Sequence, residues 1–251
     1  MIAGMRPPWT FPRVLAHRGG GALAPENTLA GIRKAASMGF GGVEFDVMLS
    51  ADAVPVLMHD ETLERTTDGR GAVARTTYAE LLRLDAGARF GAEYGRERIP
   101  SFEQAAGLCL KQGLWANVEI KPAEGFERQT GMIVAKLASE LWRGAAFAPL
   151  LSSFQPAALE AARETAPELK RGYLTDKIGP SWRRDAERLG CVSVNCNHEH
   201  LNRALARAVA DAGFWLLCWT VNDPKIAREL FSWGVDAIFT DRLDRIPPDS
   251  S

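Results

Sequence analysis

Short apolar runs rich in β-branched residues alternate along this chain with longer stretches whose apolar positions recur every three or four residues. The short runs predict strands over Val14 to His17, Gly42 to Leu49, Ala116 to Lys121, Leu150 to Phe154, Lys170 to Leu174, Val192 to Asn195, Trp215 to Thr220 and Ala237 to Thr240. Between them, helical periodicity predicts helices near 27–38, 101–112, 126–142, 156–165, 181–189, 199–212 and 223–233. Their ends carry matching chemistry. Asn27-Thr28, Ser101 with Gln104, and Asn222-Asp223-Pro224 supply N-terminal caps, and Gly39, Gly113, Gly190, Gly213 and Gly234 stand where helices stop. Eight strands with helices between them predict an α/β fold, a TIM-type (β/α)8 barrel.

The alternation breaks once. From Ala51 to Pro100 come a further apolar run, Val54 to Met58, a polar Gly-rich stretch around Thr66-Thr67-Asp68-Gly69-Arg70-Gly71, and a short helical pattern near Thr77 to Leu84. A connection this long is unusual inside a compact domain and commonly serves function. It leaves the carboxyl end of the second strand, where barrel active sites lie, so it is expected to cap or wall a site there. With no linker, internal repeat or low-complexity tract in view, 1–251 reads as one barrel domain with an insertion over about 51–100.

Composition narrows the picture further. Among 251 residues, 46% are hydrophobic and 24% charged, enough for a substantial core. A formal net charge of -1 argues against a nucleic-acid footprint and against an anionic-membrane anchor, which leaves a small molecule as the expected partner. Cys109, Cys191, Cys196 and Cys218 lie in or beside apolar runs without Cys-x-x-Cys spacing and read as reduced, buried thiols. Met1 to Phe11 lacks the apolar core of about 7–15 residues that a signal peptide needs, and no apolar run of about 18 residues follows, so a cytoplasmic protein is expected.

The candidate chemistry clusters at strand ends. Glu44 and Asp46 are two apart on one strand, so both carboxylates face the same side, and Glu119 with Lys121 repeats that arrangement on the next core strand. Three inward acids repel one another unless a cation binds them, and their oxygens suit Mg²⁺ or Ca²⁺. Taken singly, each reads better as a surface group or an ion-pair partner of Lys121 or a nearby Arg; three acids together at barrel strand ends reverse that preference. His17 ends the first strand and runs into Arg18-Gly19-Gly20-Gly21, whose glycines let backbone approach a ligand. His59 ends the run Val56-Leu57-Met58 and precedes Asp60, which either fixes its tautomer or caps a turn. Two imidazoles supply proton transfer and Arg18 a bidentate phosphate donor, the set a metal-assisted phosphodiester centre needs. His198 and His200 read as the start of a helix, and Arg183, Arg184, Arg188, Arg203 and Arg207 as solvated helix faces.

His17-Arg18-Gly19, Pro25-Glu26-Asn27-Thr28, Glu44-x-Asp46, His59-Asp60, Glu119-x-Lys121-Pro122, Trp219-Thr220-Val221-Asn222, and Gly234-Val235-Asp236 leading to Thr240-Asp241 follow in an order and spacing that closely resembles the glycerophosphodiester phosphodiesterases of the cytoplasmic bacterial type. The resemblance runs from about Arg13 to Ile246. It implies a TIM-type barrel that hydrolyses deacylated phospholipids such as glycerophosphocholine and glycerophosphoethanolamine to sn-glycerol 3-phosphate and an alcohol. By position it implies metal ligands at Glu44, Asp46 and Glu119, phosphate binders at Arg18 and Lys121, and an acid/base pair at His17 and His59. Trp219 resembles the family's glycerol-side wall, with Phe154 assisting. One divalent ion is implied, Mg²⁺ favoured and Ca²⁺ the alternative. Asn27 is equally accounted for by the site and by capping the first helix. A lysophospholipase D-type activity and a non-catalytic glycerophosphodiester-binding barrel stay open as alternatives, as does oligomeric state.

Overall fold

The computed structural model describes residues 6–250. Eight parallel strands close into a barrel: β1 (Val14–Ala16), β2 (Gly42–Leu49), β4 (Trp115–Ile120), β5 (Leu150–Ser153), β6 (Lys170–Thr175), β7 (Ser193–Asn197), β8 (Trp215–Trp219) and β9 (Ala237–Thr240). Each pairs with its successor, and β1 completes the ring by pairing with both β9 and β2, at Ala16↔Val43. The additional strand β3 (Pro55–Leu57) folds back antiparallel onto β2, and so accounts for the extra apolar run in the insertion. Every residue of β2 is buried, as expected of a strand flanked by pairing partners and covered on both faces.

The helices are α1 (Leu29–Ser37), α2 (Tyr78–Leu81), α3 (Phe102–Gln112), α4 (Glu127–Leu141), α5 (Pro156–Thr165), α6 (Trp182–Arg188), α7 (Arg203–Asp211) and α8 (Pro224–Ser232). Their starts follow the capping signals: Thr28, Ser101 and Asp223 each accept a backbone N–H, and Ser101 and Gln104 form the reciprocal capping box. Pro156 and Pro224 occupy first-turn positions where a missing N–H costs nothing. The run expected as one helix over 199–212 is instead two pieces. His198–His200 forms a single 3-10 turn, Leu201 returns to extended backbone, and Asn202 caps α7 at Arg203. The cause is local: Asn197 and Asn202 each accept a nearby N–H with their side chains, and two caps five residues apart cannot belong to one helix.

The core has two parts. Outside the barrel wall, helices pack their apolar faces on the strands; Phe102 of α3, fully buried, meets Phe45 of β2 with ring centroids 6.2 Å apart. Each such ring stabilises the fold by about 2–3 kcal/mol through burial. Inside, at the amino-terminal end of the strands, Trp115 and Trp215 meet Trp9 and Phe11, which plug the barrel floor. Between α5, α6 and β6, buried Arg171 donates to the carbonyls of Ala166, Pro167, Leu169, Leu189 and Gly190, tying two helix ends to the wall. All four cysteines are buried and unpaired. The floor is therefore sealed and apolar, which leaves the carboxyl-terminal mouth for chemistry.

Candidate active site

The mouth holds a cavity of about 500 Å³ whose lining includes His17, Arg18, Glu44, Asp46, His59, Glu119, Lys121, Phe154 and Trp219, so all nine residues singled out from the sequence converge on one place. Strand register explains the convergence. Glu44 lies opposite Asn117 and Asp46 opposite Glu119 on the paired strands β2 and β4, so alternation points the acids inward at neighbouring heights. One oxygen from each of Glu44, Asp46 and Glu119 lies within 4.8 Å of the others.

Around this triad the cations are fixed by contacts to the acids themselves. Lys121 Nζ sits 3.1 Å from Glu119 Oε1 and 3.4 Å from Asp46 Oδ1. The Arg18 backbone N–H donates to Glu44 Oε2 at 2.9 Å, its Nη1 donates to Glu26 Oε1 at 3.0 Å, and its Nε, buried 3.9 Å from Asp46 Oδ2, has no hydrogen-bond partner. The turn that carries Arg18 has positive φ at Arg18 and Gly19. At Gly21, φ is 54° and a Cβ would stand 2.4 Å from the Asp241 carbonyl oxygen, so no other residue fits there. Asn27 belongs to the site: Thr28 does the capping, while Asn27 donates to Asp46 Oδ2 at 2.8 Å and accepts from the Asp46 N–H at 3.1 Å.

Both imidazoles are held by aspartates. His17 Nδ1 is 2.7 Å from Asp241 Oδ1, and Asn222 donates to the other oxygen of Asp241 at 3.0 Å. His59 Nδ1 is 2.6 Å from Asp60 Oδ1, and Arg65 clamps Asp60 at 2.5 Å while also binding Glu26. With Nδ1 engaged in each ring, Nε2 is the nitrogen left to exchange protons. Sequence reasoning placed Asn222 at a helix cap, quoted Glu26 and Asp241 only as motif positions, and gave Arg65 no role. Asp241 stands one residue past β9, at the mouth, and that position was the signal; Arg65 sits in the irregular insertion, where no periodicity marks it.

Electrostatics favour a cation at the triad. Burial, reinforced by the charge of Asp46, pushes Glu44 up to about 7 and Glu119 up to about 8. Asp46 is buried as deeply, yet Lys121, His59, Arg18 and the Asn27 amide outweigh burial and hold it below the usual carboxylate range. Without a metal, the cluster keeps one carboxylate ionised and protonates the others near neutrality. Hard oxygen donors, surplus acid and mutual proximity fit a divalent ion such as Mg²⁺ or Ca²⁺. Burial also opposes charge on His17, but the Asp241 hydrogen bond and the carboxylates of Glu44 and Asp241 raise its pKa. For His59 burial prevails and the pKa falls, despite Asp46.

Phe154 and Trp219 form an edge-to-face pair, centroids 5.7 Å apart, on the cavity wall. His198 and His200 lie outside this cavity; His200 contacts Asp176 at 3.4 Å. Arg183 and Arg207 pair with Glu187 and Asp211 one helical turn on, as solvated faces do. Among the described residues no helix is long and apolar enough to cross a membrane.

Residues 17–245 match the model of the glycerophosphoryl diester phosphodiesterase family. A glycerophosphodiester phosphodiesterase of Caldanaerobacter subterraneus is 33% identical over 234 residues, covering 91% of this chain and 93% of that one. Among solved structures, a phosphodiesterase of Oleispira antarctica in complex with the product sn-glycerol-3-phosphate superposes with a TM-score of 0.87 at 38% identity, over 92% of this chain and 93% of that one. A glycerophosphodiester phosphodiesterase of Agrobacterium tumefaciens gives a TM-score of 0.79 at 27% identity, over 93% and 98%.

Proposed function

This chain belongs to the glycerophosphoryl diester phosphodiesterase family and is a phosphoric diester hydrolase, and from that premise we propose that it cleaves glycerophosphocholine, glycerophosphoethanolamine and similar diesters to sn-glycerol 3-phosphate and an alcohol by histidine acid/base catalysis. The observation that carries the reading is the pair of aspartate-held imidazoles, His17 and His59, in one cavity with the acidic triad. A module that only bound glycerophosphodiesters would need neither ring fixed in this way.

Glu44, Asp46 and Glu119 would hold one divalent cation, Mg²⁺ in preference to Ca²⁺. When bound, the cation supplies Lewis-acid polarisation of the phosphate. Arg18, through its guanidinium, and Lys121, through its ammonium, neutralise the charge that grows on the phosphoryl oxygens. Trp219, with Phe154 beside it, walls the glycerol carbons. One imidazole Nε2 takes the proton of the glycerol hydroxyl adjacent to the ester. That oxygen attacks phosphorus, the bond to the alcohol breaks, and the other imidazole returns a proton to the leaving oxygen. Water then opens the five-membered cyclic phosphate with the two roles exchanged. The attacking hydroxyl is already part of the substrate, so the step gains the high effective concentration of an intramolecular nucleophile.

Release of glycerol 3-phosphate from glycerophosphocholine and glycerophosphoethanolamine, measured with Mg²⁺, Ca²⁺ or chelator, tests the assignment. Metal-dependent release that His17→Ala abolishes is expected; release undiminished by chelator, or surviving in the variant, sinks it. An analogue lacking the adjacent hydroxyl should turn over far more slowly than the parent, and equal rates would eliminate the cyclic intermediate.

A further inference from the structure

Resting on that reading of the site, we infer that Glu61 is a specificity-determining residue that selects diesters of cationic amino alcohols, through a leaving-group compartment beside the acidic triad. A second hollow borders the catalytic cavity, sharing the side chains of His59, Glu119, Lys121 and Phe154 with it and lined in addition by Met48, Glu61, Pro122 and Gln155 among others. The other sizeable hollow near the insertion, beside Arg65, Arg89 and Phe90, shares no lining residue with the catalytic cavity. A diester whose phosphate lies between Arg18 and Lys121, with its glycerol against Trp219, therefore has this adjoining hollow on the His59 side for its alcohol.

The charges in that space are unequal. Lys121 is committed to Glu119 and Asp46, and His59 to Asp60. Glu61 is exposed, and its carboxylate enters none of these pairs. Phe154, 40% exposed, turns an aromatic surface towards the same compartment. A free carboxylate with an aromatic neighbour and the Pro122 apolar surface recognises an ammonium on a short carbon stem, quaternary or primary. A neutral polyol gains nothing from the carboxylate, and an anionic head group is repelled. Glu61 lies in the insertion, two residues beyond His59, so the segment that delivers one imidazole also carries the selector.

The test compares kcat/KM for glycerophosphocholine with that for glycerophosphoglycerol in wild type, Glu61→Gln and Glu61→Lys, following glycerol 3-phosphate in each case. A single exposed charge at hydrogen-bonding or ion-pair range predicts that the choline-to-glycerol ratio falls about three- to fivefold in Glu61→Gln and about tenfold or more in Glu61→Lys, carried by KM. Because both substrates share one active site, each preparation contains its own reference for folding. Raising salt should compress the wild-type ratio towards that of Glu61→Gln. Ratios unchanged in both variants would overturn the inference while leaving the hydrolase reading intact. Failure of the folded wild type to release glycerol 3-phosphate from either substrate would instead strike the hydrolase reading itself.

Discussion

Loading the acidic triad with Mg²⁺ should expel protons, by an amount that depends on pH. Glu44 titrates near 7 and Glu119 near 8 in the metal-free protein, both pushed up by burial and by Asp46. At pH 7 these carboxyls together hold between one and two protons, and at pH 9 they hold almost none. A divalent ion needs all three acids ionised, so binding releases whatever the cluster holds. The apparent association constant should accordingly climb steeply between pH 6 and 8 and level off by pH 9. Calorimetric titration of the metal-free protein at pH 7, in buffers of different ionisation enthalpy, reads proton release as the slope of apparent enthalpy against buffer enthalpy. A slope between one and two protons is expected, shrinking to near zero at pH 9. Glu119→Gln removes the later-titrating group, so its release at pH 7 should drop to about half a proton, with weaker affinity. Zero release at pH 7, or uptake instead of release, would refute the account of the cluster as a set of protonated acids waiting for a cation.

Three further outcomes follow from the same contacts. Glu44, Glu119 and His17 all have folded-state pKa values above their unfolded ones, so the native state binds extra protons and stability falls as pH rises through about 5 to 8, by a few kcal/mol for the metal-free protein; the depressed His59 opposes this only in part. Melting temperatures with and without Mg²⁺ check it, since the bound ion should flatten the decline, and a metal-free protein that melts higher at pH 8 than at pH 6 would contradict it. Asp241→Asn should leave the fold intact yet cost about a hundredfold or more in kcat, because the amide no longer fixes the His17 tautomer; a loss within about threefold by steady-state assay would remove Asp241 from the mechanism. Arg171→Met should destabilise by about 3 kcal/mol in urea denaturation, since five buried or part-buried carbonyls lose their donor, while kcat stays unchanged because Arg171 lies outside the catalytic cavity.

What the chain disclosed in advance was what local chemistry decides. Strand and helix positions rest on periodicity and on caps such as Ser101, Thr28 and Asp223, whose partners lie within three residues. The one expected helix that divided did so where two local signals compete, at Asn197 and Asn202, because each side chain claims a backbone N–H. At the site, residues on regular strands were legible because alternation by two fixes their facing, as for Glu44 and Asp46. The supporting partners were not: Asp241 reaches His17 across 224 positions of sequence and Arg65 reaches Glu26 across 39, distances over which no periodicity speaks. Only closure of the ring, β1 against β9 and β2, brings the first strand's histidine to the last strand's aspartate. That dependence has a consequence for catalysis. The imidazole at the chain's beginning is oriented only when its end has docked, so proton-transfer competence is a property of the completed barrel and should be lost together with the β1–β9 pairing.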